Sequence, residues 1–397
     1  MMYKVCFKAV FAVVALILSV AAVAEARDCA LVIHPACGNT PSAAFDRQGK
    51  LWIAFEQRDR VYVTSSTDLG HSFADAVAVN AIAEPIYARG ENRPKLVHGP
   101  NGKLFVSWTR KLANRFSGDI RFSRSLNGGK SFETPLTVND DGLQISHRFD
   151  ALKVTPSGKV FLTWLDKRDK VKLQSEGKNY PGAALYYAVS EDRGASFKPN
   201  IKVADNSCEC CRIAIANYRQ DKVAVMWRHI FEGGIRDHAL AILGADKATA
   251  PVRATVDDWQ IDACPHHGPD IALSSDGMRY HMTWFTNGKL HKGLYYGRMS
   301  PGNAQAEGII SLDTNANASH PQVAVNRNTV FLLWKHFDGE KTELKLMKST
   351  TDGSSWGEPK STVATTGASD HPQLLQHGDR TYAGWHTQNE GYRLVQL

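Results

Sequence analysis

The sequence predicts an all-β protein folded as a single β-propeller of seven blades, with six as the alternative count. Three observations lead there. A two-strand unit recurs seven times along the 397 residues. Each unit ends on a large aromatic, and successive terminal aromatics lie 50 to 63 residues apart. A Ser/Asp/Gly turn motif then follows four of the seven units.

The units run Pro41 to Phe55, Pro94 to Trp108, Asp150 to Trp164 and Ile213 to Trp227, then Pro269 to Trp284, Pro321 to Trp334 and Pro372 to Trp385. Each reads as an alternating apolar strand, a turn usually carrying Gly or Asp, and a short β-rich run. The tryptophans read as packing between blades rather than as a sugar platform. The chain ends soon after the seventh unit, and Cys29 to Ile33 is expected to return as the outer strand of that last blade.

The turn motif reads Ser66-Thr67-Asp68-Leu69-Gly70-His71-Ser72-Phe73, then Ser125 to Phe132 with Asn127 in the acid's place, then Ser190 to Phe197. The fourth copy, Ser349 to Trp356, moves its acid one place, to Asp352. Asp or Asn accepts backbone N–H bonds in a tight turn, Gly supplies a positive φ, and the aromatic anchors the hairpin. These boxes resemble those of the Asp-box (BNR repeat) propellers of the sialidase superfamily, and the resemblance covers nearly all of the chain after its first segment. It implies a propeller whose boxes sit remote from the functional face. It also implies three arginines gripping a substrate carboxylate, a Tyr/Glu nucleophile pair and an Asp acid. Arg93, Arg148 and Arg212, with His147, are the candidate substrate-binding residues. Tyr87, Tyr180, Glu91 and Asp150 are the stand-ins for the other roles, and no catalytic residue is assigned. The family's Arg-Ile-Pro opening is missing from the first unit, which begins Asn39-Thr40-Pro41; its nearest echoes are Arg93-Pro94 and Arg212-Ile213-Ala214.

Composition is that of a soluble globular protein: 43% hydrophobic, 22% charged and a net charge of +7. No Lys/Arg run exceeds a pair, so nucleic acid is not an expected partner. Lys4 and Lys8 precede an apolar run from Ala9 to Val23, and Ala24-Glu25-Ala26 offers a cleavage site. Residues 1–26 therefore read as a signal peptide and 27–397 as the propeller. The expectation is a periplasmic or secreted monomer with no membrane span after cleavage. In an oxidising compartment Cys29 and Cys37 are positioned to pair across a short loop.

The residues just before each unit's first strand should face one another across one mouth of the ring. They are Asn39-Thr40, Asn92-Arg93, His147-Arg148, Cys210-Cys211-Arg212, His266-His267-Gly268, Ser319-His320 and Asp370-His371. Cys208, Cys210 and Cys211, with Cys264, His266, His267, His320 and His371, form a candidate transition-metal site. Mixed thiolate and imidazole ligands suit copper or zinc, and soft sulfur favours Cu(I). Disulfides among these cysteines, or a free reactive thiol, are the alternatives. An extended Cys210-Cys211 pair would point to opposite faces, which argues against both binding one ion. Lys167 to Lys178 reads as a solvated loop, and Arg236-Asp237-His238 as surface. Two functions follow: an exported propeller handling a metal ion, or a sialidase-like or carbohydrate-binding propeller taking a small anionic ligand through its arginines.

Overall fold

The computed structural model describes residues 28–397 except 220 and 304. The expected signal peptide lies outside the described residues. Seven antiparallel sheets follow one another along the chain. Six have four strands, as in the first blade: Asn39–Phe45, Leu51–Gln57, Arg60–Ser66 and Val77–Ala78. The seventh has three: Gln373–His377, Arg380–Thr387 and Gly391–Gln396. Each blade's first strand lies against the first strand of the next, and the seventh lies against the first, so the ring is closed.

The recurring aromatics supply the wedges between blades. Trp108, Trp164, Trp227, Trp284, Trp334, Trp385 and Phe55 are all fully buried. Trp164 packs with Phe105, Ile120 and Phe122 of the preceding blade, and Trp284 with Ala224 and Met226. Burying each such ring contributes about 2–3 kcal/mol. The seam uses the same device: Phe55 clusters with Leu375 and Tyr382 of the seventh blade.

Cys29 to Ile33 does not form the expected closing strand. The chain there turns through a 3-10 segment at Pro35–Cys37, which packs on the last strand, and Ala36 O accepts a hydrogen bond from His386 Nε2 at 3.2 Å. A Cys29–Cys37 disulfide with Cα atoms 5.4 Å apart pins this strap, so the seam is held by a cross-linked loop.

Register fixes which end is which. Asn39, at the start of the first blade's inner strand, pairs with Glu56. Phe45 at its end pairs with Leu51, and Leu51 with Ser66, where the first turn motif begins. The motifs therefore lie at the opposite end of the ring from the unit openings. In the third copy Ser190 Oγ donates to Asp192 Oδ1 (2.7 Å) and accepts from Gly194 N (2.7 Å), while Asp192 accepts from Ser196 N (3.0 Å) and Oγ (2.6 Å). In the fourth copy the acid's role falls to Thr351, whose Oγ1 accepts from Ser355 N at 2.9 Å. Asp352 instead reaches the fifth blade, where it bonds Arg279 and His281.

Candidate functional site

At the other end, the outer strand of the third blade, Ile201–Ser207, runs into a turn that opens the fourth. Cys208 N donates to Arg228 O (2.9 Å) and Ile230 N to Asn206 O (2.7 Å), which ties this turn to the fourth blade's second strand. Residues 167–178, read as a solvated loop, instead contain a helix, Arg168–Ser175. Lys170 Nζ on this helix and Lys167 Nζ just before it hold Glu209 at 2.8 and 2.6 Å, so the helix braces the cysteine turn.

Cys208, Cys210 and Cys211 are all buried, with Sγ atoms 3.8, 3.8 and 4.0 Å apart. Because Cys210 and Cys211 lie in a turn, not a strand, both sulfurs face the same point, contrary to the expectation from an extended pair. Cys264 is exposed and comes from the loop before the fifth blade, close enough to interact with Cys208 and Cys210. None of the four forms a disulfide. Hydrogen bonds from Cys210, Cys211 and Cys264, with the charge of Arg228, push the Cys208 thiol far below its ordinary value. The same sharing pushes Cys210, Cys211 and Cys264 up.

Two arginines complete this pocket: Arg228, which sequence reasoning left aside, and Arg236, which was expected at the surface but is largely covered. Arg236 Nη1 donates to Cys208 Sγ at 3.4 Å. Arg228 is fully buried and donates to Arg236 O (2.7 Å), His267 O (3.0 Å) and Phe285 O (2.8 Å), thereby fastening the two cysteine-bearing loops together. Asp237 and His238, which follow Arg236 and were also expected at the surface, are buried. Asp237 accepts from the backbone of residues 257 to 259, which satisfies a loop that would otherwise leave buried N–H groups unpaired.

The histidines gather elsewhere, around the channel. His320 and His371 stack with ring centroids 3.4 Å apart, and His267 lies 5.3 Å from His320. His266 is exposed and stands apart from this stack. Glu91 joins the group: it, His320 and His371 each place a ligand atom within 4.8 Å of the other two. Burial holds His267 and His371 down to about 4 and His320 well below its ordinary value, so all three are neutral at pH 7. Burial alone would raise Glu91, but Arg212, then His371, Arg93 and Lys95, hold it down to about 2. A cavity of about 230 Å³ opens beside them, lined in part by Glu91, Asp150, Arg212, Asp270 and His371.

The three candidate arginines are placed unequally. Arg93 pairs with Asp370 at 2.9 Å and also donates to Pro41 O and Gly90 O. Arg212 donates to Pro269 O (2.9 Å), Gly268 O (3.3 Å), Pro321 O (3.0 Å) and Glu91 (3.3 Å). Both fasten blades together. Arg148 lies over Tyr87 at 4.5 Å and Phe149 at 4.9 Å, and its Nε is buried without a hydrogen-bond partner. His147 is fully buried, held by Gly118 O (2.9 Å) and Asp141 (3.0 Å). Asp150 accepts from Ser107, and Tyr180 donates to Asp205, each a blade contact.

Fold and mouth together define a seven-bladed propeller in which the described residues form three groups of metal-type ligands: Cys208, Cys210 and Cys211; Glu91, His320 and His371; and Asp141, His147 and Asp166. No protein-family model matches the chain, and no curated protein matches it in sequence. Among solved structures it is similar to a protein of unknown function from Dyadobacter fermentans DSM 18053, with TM-score 0.50 and 14% identity over 76% of this chain and 90% of that one. It is similar to a PL25 ulvan lyase described bound to -[GlcA(1-4)Rha3S]-, with TM-score 0.53 and 9% identity over 91% and 94%. The polysaccharide lyase Uly1 matches with TM-score 0.53 and 10% identity over 90% and 88%. At such identities the likeness shows the fold alone, and the sialidase-superfamily resemblance of the boxes remains a likeness between turns.

Proposed function

We propose that this chain is an exported propeller that holds a soft transition-metal ion, copper(I) or zinc, between Cys208, Cys210, Cys211 and Cys264, in metal handling or redox chemistry. The sulfur triangle carries the reading. Metal–thiolate bonds of about 2.3 Å put tetrahedral sulfurs about 3.8 Å apart, and trigonal ones about 4 Å. The observed separations of 3.8 to 4.0 Å match without any movement. Charge supports it too, since Arg228 and Arg236 border the pocket and offset the negative charge of several thiolates around one ion. The Cys29–Cys37 disulfide fits an oxidising compartment, where four adjacent thiols persist only if something protects them. Protein purified from such a compartment should carry about one ion per chain, and its thiols should resist alkylation until a chelator is added. Metal-free protein with disulfides among these four cysteines would sink the reading.

A second reading is favoured by Arg148 alone. A cation with its Nε unpartnered, set over Tyr87 at the mouth, suits a carboxylate or sulfate on a carbohydrate. Glucuronate-containing oligosaccharides should then bind wild type and lose at least about tenfold in affinity to R148A. Equal or absent binding in both proteins would remove this reading.

A further inference from the structure

We propose that Glu91, His320 and His371 form a second metal site, separate from the thiol pocket, which takes a borderline divalent ion such as Zn(II) and leaves coordination positions open to the channel. The inference goes beyond the thiol reading and does not depend on it. Distance separates the two groups: the sulfurs form one set within ligand range of one another, and Glu91 with the two imidazoles forms another. Chemistry separates them as well. Two imidazoles and a carboxylate are the donors of open catalytic zinc and iron(II) sites, whereas clustered thiolates select softer ions.

Four observations converge on a ligand here. First, His267, His320 and His371 each bury an Nδ1 with no hydrogen-bond partner. Buried polar atoms are nearly always paired, so three orphaned nitrogens around one channel call for a cation or a donor between them. Second, the His320 and His371 rings stack with centroids 3.4 Å apart, which holds two imidazoles side by side next to Glu91. Third, His320 has a φ of +54°, a conformation that costs energy in a non-glycine residue and accumulates at ligand sites. Fourth, Arg212 braces Glu91 Oε1 at 3.3 Å, as outer-shell partners orient metal-binding carboxylates.

Two of the cations beside the site are offset by carboxylates of their own, while Lys335 donates to Ser369 O at 3.1 Å. Arg93 faces Asp370 at 2.9 Å, and Lys95 faces Asp150 at 3.7 Å. The adjoining cavity of about 230 Å³ leaves room for water or a small substrate at the open positions.

The test strips the full mature protein with a chelator and titrates it with Zn(II), then Co(II). Wild type should take up a second ion that survives in the C208S/C210S/C211S variant, with cobalt bands lacking the thiolate-to-metal charge-transfer feature. H320A/H371A should lose that ion, or bind it at least about tenfold more weakly, while keeping the thiolate feature. E91Q, which preserves side-chain volume, should weaken the same ion and serves if the double variant misfolds. Undiminished second-ion binding in H320A/H371A or E91Q overturns the proposal, as does wild type that takes up no ion beyond the thiol-bound one. Failure of the thiol reading would look different: a histidine-type ion bound with no thiolate feature at all.

Discussion

At the motif end of the propeller, polar groups are satisfied within eight residues of chain. Ser190, Asp192, Gly194 and Ser196 bond one another, and the second blade adds only Arg124, which donates to Asp192 O and Arg193 O. At the mouth the partners come from across the ring: Arg212 of the fourth blade bonds Glu91 before the second and Pro321 in the sixth. There the buried Nδ1 atoms of His267, His320 and His371 stay unpaired. One end is thus finished locally and structural. The other depends on closure of the whole ring and keeps spare donors, which is where ligand chemistry can reside.

The difference is broken most sharply by removing sulfur. C210S/C211S should abolish binding of the thiol-held ion, measured by metal content per chain, while leaving the far-UV spectrum of the propeller intact. Retention of the full metal content would place the ion elsewhere.

Next in size is a change of shape at the mouth. A Cβ on Gly268 would sit 2.3 Å from Arg212 Cβ and 2.6 Å from its backbone N. G268A should cost about 2–4 kcal/mol in chemical denaturation and weaken metal binding, because it pushes the fifth blade's loop off the cysteine turn. A loss below about 0.5 kcal/mol would mean the loops are not in firm contact.

At the motif end, S190A should cost about 1 kcal/mol, the value of a buried hydrogen bond to the backbone, with metal content unchanged. A change in metal content would contradict the separation of the two ends.

The contrast also explains what could be read from sequence. The repeated aromatics and boxes are local patterns, so the seven blades and the far placement of the turns were legible. Glu91 was noticed only as a stand-in for a nucleophile, since nothing near it in the chain marks it as a partner of His320 and His371. Its position gives no signal either: it lies three residues before Pro94, where Arg93 takes the place that His320 holds before Pro321 and His371 before Pro372. The Arg168–Ser175 helix escaped because no residue of it is buried and its N-cap residue, Lys167, makes no side-chain capping bond. Its role shows in the grip of Lys167 and Lys170 on Glu209, and in the bonds of Arg168 to Asp140 and Asp166 and of Tyr186 to Asp169. The expected Cys29–Ile33 strand failed because the disulfide to Cys37 bends that run into a strap.

The smallest effect concerns His147, which belongs to the blade contacts rather than to the mouth chemistry. Burial by itself would lower its pKa, but the hydrogen bond with Asp141 and the charge of Asp166 raise it overall. A raised folded pKa gives stability that is complete below the unfolded value of about 6.5 and is lost as pH rises through the folded value. The stability gap between wild type and H147Q should therefore be wider at about pH 5.5 than at about pH 8.5. A gap that widens with rising pH would mean His147 is held neutral.

X-ray absorption at the metal edge of the protein as purified tests the central claim most directly. A sulfur shell at about 2.3 Å with a coordination number of three or four is the predicted result. A shell of nitrogen and oxygen alone, or metal-free protein with Cys208, Cys210, Cys211 and Cys264 cross-linked, would contradict it.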